Sequence, residues 1–530
     1  MQDIYLDNNA TTQLDPLVAE RLLQLSQTLI ANPSSQHRAG RQALALLESA
    51  KTDLLRVVDA PCAGMDTANI ILTSGGTEAN NLAVHSFCHA RPGAIIVGAT
   101  EHPSIIAAAQ HSLLCGRRVH YLSVDQGGLH DLNQLEEWLK GEPVAIVSVM
   151  LGNNETGVLA DLQAICQLCQ RYSVPVHSDV VQAVGKVPMS MQQMGLSALT
   201  ITAHKLHGPV GIGALIALNS IPIEPLLVGG GQQVGMRAGT EPVILAVAFA
   251  EAMLQITAAQ EAGVYQSLGK LRDQFESAML ELPHTQVIAQ SSPRLPHTSN
   301  ISFGGTDRQA LHMALDLAGV ACSAGSACSS GSSRPSPILL AMGLPDDLVQ
   351  SCLRFSFSKF TTASDVNQAI DIIHRVTAKL QNRSSSSTNA PTQLTRRSIV
   401  ATKSFNTTVS EAVTRITLER PASVKRMLPE LSDGWMLTDY LVGPENAGLL
   451  YLFDEPSIKS LASLSPVVLY GEKNLGKRLW RLPSPSAGHT RPTSVPCVLP
   501  LVPLSSMALP KLLKSMTWTR FGLATATAKC

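Results

Sequence analysis

Asn69-Ile-Ile-Leu-Thr73 runs directly into Ser74-Gly75-Gly76-Thr77-Glu78-Ala79-Asn80-Asn81. A short apolar, β-branched run predicts a strand buried on both faces. The glycine pair predicts a tight turn, and the residues after it open a helix. Backbone N–H groups and the helix dipole at such a turn suit a phosphate, although a plain strand-to-helix connection looks the same. Similar runs recur at Ala94-Ile-Ile-Val97, Val144-Ala-Ile-Val-Ser-Val149, Val174-Pro-Val-His177 and Ala198-Leu-Thr-Ile-Thr202. Helical patterns lie between or beyond them, at Asp161 to Tyr172 and Pro242 to Gln260. This alternation predicts an α/β fold with a mainly parallel sheet, in which ligands bind beyond the carboxyl ends of the strands.

Two more strand ends carry chemistry. Ser178-Asp179-Val180-Val181-Gln182 follows one run. A carboxylate ending a buried strand needs a compensating cation, a protonated ring nitrogen or a capping role. Ala203-His204-Lys205 follows another and enters the glycine-rich Leu206 to Gly213. Burial lowers a lysine's pKa and leaves a nucleophilic amine, as a Schiff base requires; a lysine snorkelling from the sheet edge is the plainer alternative. A phosphate turn, an Asp for a pyridine nitrogen and a strand-end Lys together match the three handles of pyridoxal phosphate.

Composition bounds the rest. A chain of 530 residues predicts about two to four domains. Hydrophobic residues at 45% supply a core and exclude a mostly disordered chain. Zero net charge argues against a strongly basic nucleic-acid binder. The longest apolar run, Val243 to Leu254, is interrupted by Glu251 and falls short of the ~20 residues of a membrane span. The start, MQDIYLDNNATT, has neither the basic residues nor the apolar stretch of a signal peptide. Ten cysteines are too sparse for a disulfide scaffold and predict thiols in a reducing, cytoplasmic compartment. Cys166-x-x-Cys169 lies in a helical pattern with no second pair, so buried thiols are expected there rather than a metal.

Over about residues 3–380 the chain resembles a cysteine desulfurase of the group that supplies sulfur for iron–sulfur clusters, in the class V aminotransferase family. The resemblance is carried by Tyr5-Leu-Asp-Asn-Asn-Ala-Thr-Thr12, Asn32-Pro-Ser-Ser-Gln-His37, Thr73 to Asn80, Glu101-His102 and Asn153-Asn-Glu-Thr-Gly157. It continues through His177-Ser-Asp179 with Gln182, Ala203-His-Lys205, Gly229 to Thr240, Ser323-Ala-Gly-Ser-Ala-Cys328 and Leu353-Arg-Phe-Ser356. It implies the fold type I pyridoxal-phosphate architecture: a large domain over 1–260, with residues 1–15 joining a smaller α+β domain over 261–383. It further implies that Lys205 holds the cofactor covalently, His102 stacks on its ring and Asp179 pairs with the ring nitrogen. Gln182 and Asn154 would lie on the phenolic-oxygen side, with Asn154 also touching substrate. Gly76, Thr77, Thr202 and His204 would serve the phosphate, joined by Thr240 from the partner subunit of a homodimer. Arg354 would grip the substrate carboxylate, for which its planar fork is suited.

Cys328 sets the implied reaction. Ala324-Gly-Ser-Ala-Cys-Ser-Ser-Gly-Ser-Ser333 is a run of small residues that cannot pack a core. Its thiolate would take the sulfur of L-cysteine, leaving L-alanine and a persulfide for an acceptor or an iron–sulfur scaffold protein. No resident metal is implied, although Cys328 could ligate an iron–sulfur cluster transiently. A selenocysteine lyase on the same scaffold is an alternative. Three departures fall outside the catalytic set: Gln233-Val234 where an acid and an arginine are usual, Val210 where a lysine is common, and Ser333-Arg334 for Leu-Glu.

A polar stretch, Arg383-Ser-Ser-Ser-Ser-Thr-Asn-Ala-Pro391, reads as the start of a linker extending to 437. Residues 1–383 carry 23 Lys+Arg against 31 Asp+Glu, net −8, whereas residues 384–530 carry 17 against 9, net +8. Within the tail over 438–530, residues 438–478, with Thr438-Asp-Tyr-Leu-Val-Gly-Pro-Glu-Asn446 and then Val467-Val-Leu-Tyr before Gly471-x4-Gly476-Lys477, resemble the start of a bacterial replication-initiator ATPase domain. Arg478 stands where its magnesium-ligating hydroxyl belongs, and no acidic residue follows Glu472. A degenerate, irregular extension is therefore expected, with a basic tail that touches nucleic acid as the alternative.

Overall fold

The computed structural model describes residues 3–29, 32–63, 66–325 and 335–386, and strands 435–442, 448–454, 467–470 and 478–481. The chain divides into two units, Met1–Gln393 and Leu394–Cys530.

The first unit starts with a two-residue strand, β1 (Ile4–Tyr5), and two helices, α1 (Pro16–Thr28) and α2 (Arg38–Val57). Asp15 caps α1 by accepting the Leu17 N–H, with Pro16 at the first helical position, where its missing N–H costs nothing. Seven strands then build the main sheet: β2 (Ala68–Thr73), β3 (Ala94–Gly98), β4 (Val119–Leu122), β5 (Val144–Ser148), β6 (Val176–Asp179), β7 (Ala198–Thr202) and β8 (Gly213–Leu218). Their order is β2-β8-β7-β6-β5-β3-β4. Every residue of β3, β5, β6 and β7 is buried, which is why these strands read as continuous apolar runs. β8 alone runs antiparallel to both its neighbours.

Between the strands lie α3 (Gly76–Ala90), α4 (Pro103–Leu113), α5 (Leu132–Gly141), α6 (Leu162–Arg171) and the single turn α7 (Met191–Met194). The next helix, α8 (Val243–Glu261), occupies the helical pattern read over Pro242 to Gln260. By length and composition it could cross a membrane, with mean hydropathy 1.6. Yet it packs against α1 and α2 and buries Phe249, Met253 and Ile256, so its apolar length serves a core.

After α9 (Val264–Met279) come β9 (Thr285–Val287), β10 (Thr298–Phe303), α10 (Arg308–Leu317), β11 (Val320–Ala321), α11 (Pro337–Ala341), α12 (Asp346–Val349), β12 (Cys352–Ser356) and α13 (Ala363–Ser386). β12, β10 and β9 form an antiparallel sheet in that order. Phe275, Phe303, Phe355 and Phe357 pack on it with ring centroids 5.0–6.2 Å apart. β11 pairs with β1, and Asp7 bridges to Ser356, so the N-terminal segment is fastened to this second sheet. α13 continues through Ser386, four residues into the polar stretch that opens at Arg383 and was read as linker. Its helix-forming Ala378-Lys-Leu-Gln381 carries the run on, and nothing in Asn382 to Ser386 breaks it.

The second unit contains an antiparallel sheet of β13 (Trp435–Val442), β14 (Gly448–Asp454), β15 (Val467–Tyr470) and β16 (Arg478–Arg481) in sequential order. β16 lies within the acid-free stretch expected to be irregular; its four residues are too few to show a strand period in the sequence. The Gly471–Lys477 loop lies outside the described residues.

Candidate active site

Parallel crossovers carry the ends of β2, β5, β6 and β7 to one edge of the sheet, and the loops beyond them bring Gly76, Asn154, Asp179 and Lys205 there. Lys205 ends a short 3-10 turn after β7. Its Nζ donates to the backbone carbonyl of Asn9 and to that of Ala10 at 2.6 Å. Burial, reinforced by Arg354, lowers its pKa to about 8, while Asp7 and Asp179 act in the opposite direction. A lysine so poised becomes largely a free amine only above about pH 8, well below where an ordinary lysine does.

Asp179 closes β6 with its Oδ1 on the Val181 N–H at 3.0 Å and its Oδ2 on the Asn80 side-chain amide at 2.7 Å. Asn80 Nδ2 also donates to Ser104 Oγ at 2.8 Å, and Ser104 Oγ lies 2.7 Å from His102 Nδ1. The Ser104 N–H donates to the same Nδ1 at 3.2 Å, so in the neutral ring the proton sits on Nε2. Burial keeps His102 neutral by lowering its pKa, against the pull of Asp179. Behind it the buried Glu101 accepts from the Met150 N–H at 2.6 Å, and burial raises its carboxyl well above the usual range. On β6, His177 ties β5 to β7 through Ser148 and Thr200 at 2.9 and 3.0 Å, and burial drops its pKa to about 3.

The turn after β2 is closed by Thr73 Oγ1 donating to the Gly75 carbonyl at 3.0 Å. No side chain caps the start of α3, and Thr77 is exposed there. Gly213 must be glycine: a Cβ would lie 2.7 Å from the Gly75 carbonyl carbon. Thr202 donates to the Ile212 carbonyl at 3.0 Å. His204 lies 3.3 Å from Thr11 Oγ1, and burial with Lys205 and Lys186 lowers its pKa to about 4.

From the second sheet, Arg354 donates to the Asn154 carbonyl at 2.9 Å and to Asp7 Oδ1 at 2.6 Å. Gln182 Nε2 donates to the Asn9 carbonyl at 3.0 Å, joining Lys205 on that oxygen. Asn9 Nδ2 in turn donates to the Asn154 carbonyl at 3.1 Å. Asp7, Asn9, Ala10, Asn80 and Ser104 had no assigned role in the sequence; their only signal was membership of two motif stretches and a serine two places after His102. Thr240 is exposed and stands apart from this cluster, and Cys328 lies in 326–334, outside the described residues. Ser323 pairs with Arg354 through both backbone groups, at 3.0 and 2.7 Å, which sets the chain leading toward Cys328 beside the Arg354 strand.

Among the described residues, buried polar atoms of this network without a protein partner include Asn154 Oδ1, Asn9 Oδ1, Asn80 Oδ1 and Arg354 Nε. Such atoms are costly to bury alone and suit a polar group bound among them. A half-buried amine, a strand-end carboxylate and an uncapped helix start fit the aldehyde, ring nitrogen and phosphate of pyridoxal phosphate.

Comparison with known proteins agrees. The Aminotransferase class-V family matches residues 4–369. A cysteine desulfurase of Nostoc sp. is 36% identical over 384 residues, covering 72% of this chain and 94% of the relative. The cysteine desulfurase NifS of Azotobacter vinelandii is 35% identical over 388 residues, covering 72% and 94%. The crystal structure of a NifS-like protein from Rickettsia africae superposes with a TM-score of 0.65 at 32% identity, covering 71% of this chain and 99% of that one. On its sequence and its fold alike, this chain belongs to the class V aminotransferase family and, within it, to the cysteine desulfurases, which use pyridoxal phosphate.

Proposed function

We propose that the edge described above converts L-cysteine to L-alanine and leaves the sulfur as a persulfide on Cys328. The observation that carries this reading is the half-buried Lys205 amine, held by the Asn9 and Ala10 carbonyls of the N-terminal segment and within the electrostatic reach of the strand-end Asp179. Lys205, His102, Asp179, Gln182 and Asn154 would hold the cofactor, with Gly76, Thr77, Thr202 and His204 at its phosphate. When bound, pyridoxal phosphate supplies an electron sink for charge developing at the substrate Cα. Asp179 keeps a proton on the ring nitrogen by placing negative charge beside it. Arg354 binds the substrate carboxylate with its remaining donors while Asp7 fixes the guanidinium. The Lys205 amine would move the proton at Cα. The Cys328 thiolate attacks the substrate sulfur; the S–S bond forms, the Cβ–S bond breaks and Cβ gains a proton. Enzyme thiol and cysteine thus give enzyme persulfide and alanine, with no outside oxidant.

Thr240 is exposed in the single chain, which supports its reaching the phosphate of a partner subunit in a homodimer. A sulfur-acceptor or scaffold protein in the cytoplasm would then take the persulfide sulfur. A solved relative, SspA in complex with cysteine, is 26% identical with a TM-score of 0.58 and supports cysteine as the ligand. The test is an absorbance scan of the purified protein followed by alanine and sulfide assays with cysteine and a reductant. Absence of a band near ~400 nm together with absence of alanine would overturn the proposal.

A further inference from the structure

The loop that carries Thr240 holds an unusual strain. Gln233 (φ 48°) and Val234 (φ 56°) both adopt the left-handed conformation, and Gly235 follows at φ 79°. Glycine adopts this region freely, whereas a β-branched valine there is an outlier. Val234 gains nothing locally, being 90% exposed. Such strain persists only where surrounding contacts over-determine it.

Those contacts are two side-chain staples. β2 is an edge strand of the main sheet, and Leu72 turns both its backbone groups outward. The Gln233 amide meets them both: the Leu72 N–H donates to Oε1 at 2.7 Å, and Nε2 donates to the Leu72 carbonyl at 2.9 Å. One buried side chain thus imitates a strand residue. Four residues on, Arg237 donates from Nε and Nη2 to the two oxygens of Glu78 at 2.9 and 3.3 Å. Glu78 also accepts the Ser74 N–H at 2.7 Å. Gln232 Oε1 accepts the Gly239 N–H at 3.1 Å, which closes the loop just before Thr240. Leu72 and Glu78 flank the Gly75–Gly76 turn, so the loop is pinned on both sides of the proposed phosphate cradle.

We propose that Gln233 and Arg237 are positioning residues that brace the Thr240 loop against the turn holding the phosphate, so that Thr240 binds cofactor only while the brace is closed. This rests on the assignment of Thr240 to the phosphate across a homodimer. In that dimer each subunit's own cradle is tied to the arm it extends to its partner. The Gln233 amide suits the role better than an acid, because a carboxylate would accept from the Leu72 N–H but face its carbonyl without a donor.

The test is a double-mutant cycle on the full-length chain, read as the dissociation constant for pyridoxal phosphate by equilibrium dialysis. Q233A and T240A should each weaken binding about tenfold, the scale of a lost phosphate hydrogen bond. Q233A/T240A should be no more than about threefold weaker than either single variant, since both remove the same interaction. Q233E, which loses one of the two bonds, should fall between Q233A and the parent. R237M attacks the other staple, should match Q233A, and serves should Q233A not fold. An unchanged constant in Q233A and R237M beside a weakened T240A would overturn the brace and leave Thr240 in place. Multiplicative effects, about a hundredfold in the double variant, would likewise overturn it. An unchanged constant in T240A would overturn the assignment of Thr240 and the brace with it.

Discussion

The carboxyl edge of the seven-stranded sheet and the four-stranded sheet of the C-terminal unit are both built on strands of four to eight residues, but they organise chemistry differently. In the first, parallel crossovers return every chain to the same edge, so residues far apart in sequence meet: Gly76, Asp179 and Lys205 from the main sheet, Arg354 from the second sheet, Asn9 from the start. In the second, the described strands pair antiparallel in sequential order, which sends successive strand ends to opposite edges. Function here follows from topology more than from composition. The sharpest way to break that comparison is at Lys205. Lys205→Ala should remove the absorbance of covalently held cofactor and lower turnover by roughly ten-thousandfold or more, as loss of a covalent catalyst does elsewhere. An unchanged spectrum in that variant would show that the strand-end amine is not the anchor.

Asp179 should have the next largest effect, on the chemical step rather than on cofactor content. Asn at this position can keep the turn to Val181 N–H but loses the charge. Asp179→Asn should lower alanine formation per bound cofactor by about 100- to 1000-fold, the range for removing one preorganised electrostatic group. Normal turnover per bound cofactor with poor cofactor retention would reduce Asp179 to a binding residue.

These strand ends were legible because burial leaves little choice of residue. The run Ala198–Thr202 is strand β7 without adjustment, and a lysine or aspartate after such a run stands out. The direction of β8 was not legible. Buried on nearly its whole length, it carries the same apolar composition as its parallel neighbours, and composition does not record direction. Nor was the seat of Lys205. Its partners are backbone carbonyls of Asn9 and Ala10, nearly two hundred residues away, and a carbonyl leaves no mark on residue type. Asn80 and Ser104 were hidden for a related reason: each looks like an ordinary helix residue until the fold places it between Asp179 and His102. The glycine-loop departures at Gln233 and Val234 were visible, but their meaning lay in the edge of β2.

Acidity gives a smaller and graded test. Burial holds Lys205 at about 8, below its ordinary range, so the reactive neutral amine is the minor form at lower pH. The rate at which apoenzyme captures pyridoxal phosphate should rise about tenfold per unit up to roughly pH 8 and level off above it. The same depression has a stability consequence. The unfolded lysine holds its proton up to about 10.4, so the penalty of burying this group is full below pH 8 and fades between 8 and 10.4. A capture rate flat from pH 6 to 9 would mean that the amine is not what titrates.

The smallest effect should come from removing the C-terminal unit. α13 reaches Ser386 and the first unit extends to Gln393, so the cut belongs after Gln393 rather than at the polar stretch where a linker was expected. Every proposed catalytic and binding group, from Gly76 to Arg354, precedes that point. Alanine formation per bound cofactor in the truncated chain should stay within about twofold of full length. A loss beyond about tenfold, worth roughly 1.4 kcal/mol in the barrier, would show that the second unit supports the site and would erase the contrast between the two. Truncation should also raise solubility. Residues 1–383 carry net −8 and the rest of the chain +8, and proteins near zero net charge associate more readily. Adding ATP to the full-length chain should change neither result: Arg478 replaces the hydroxyl that would ligate magnesium, and no acidic residue follows Glu472. Retained alanine formation with lost delivery of sulfur to an acceptor protein would instead assign the second unit to partner binding, a role that its antiparallel sheet and basic charge could fill without any catalytic group.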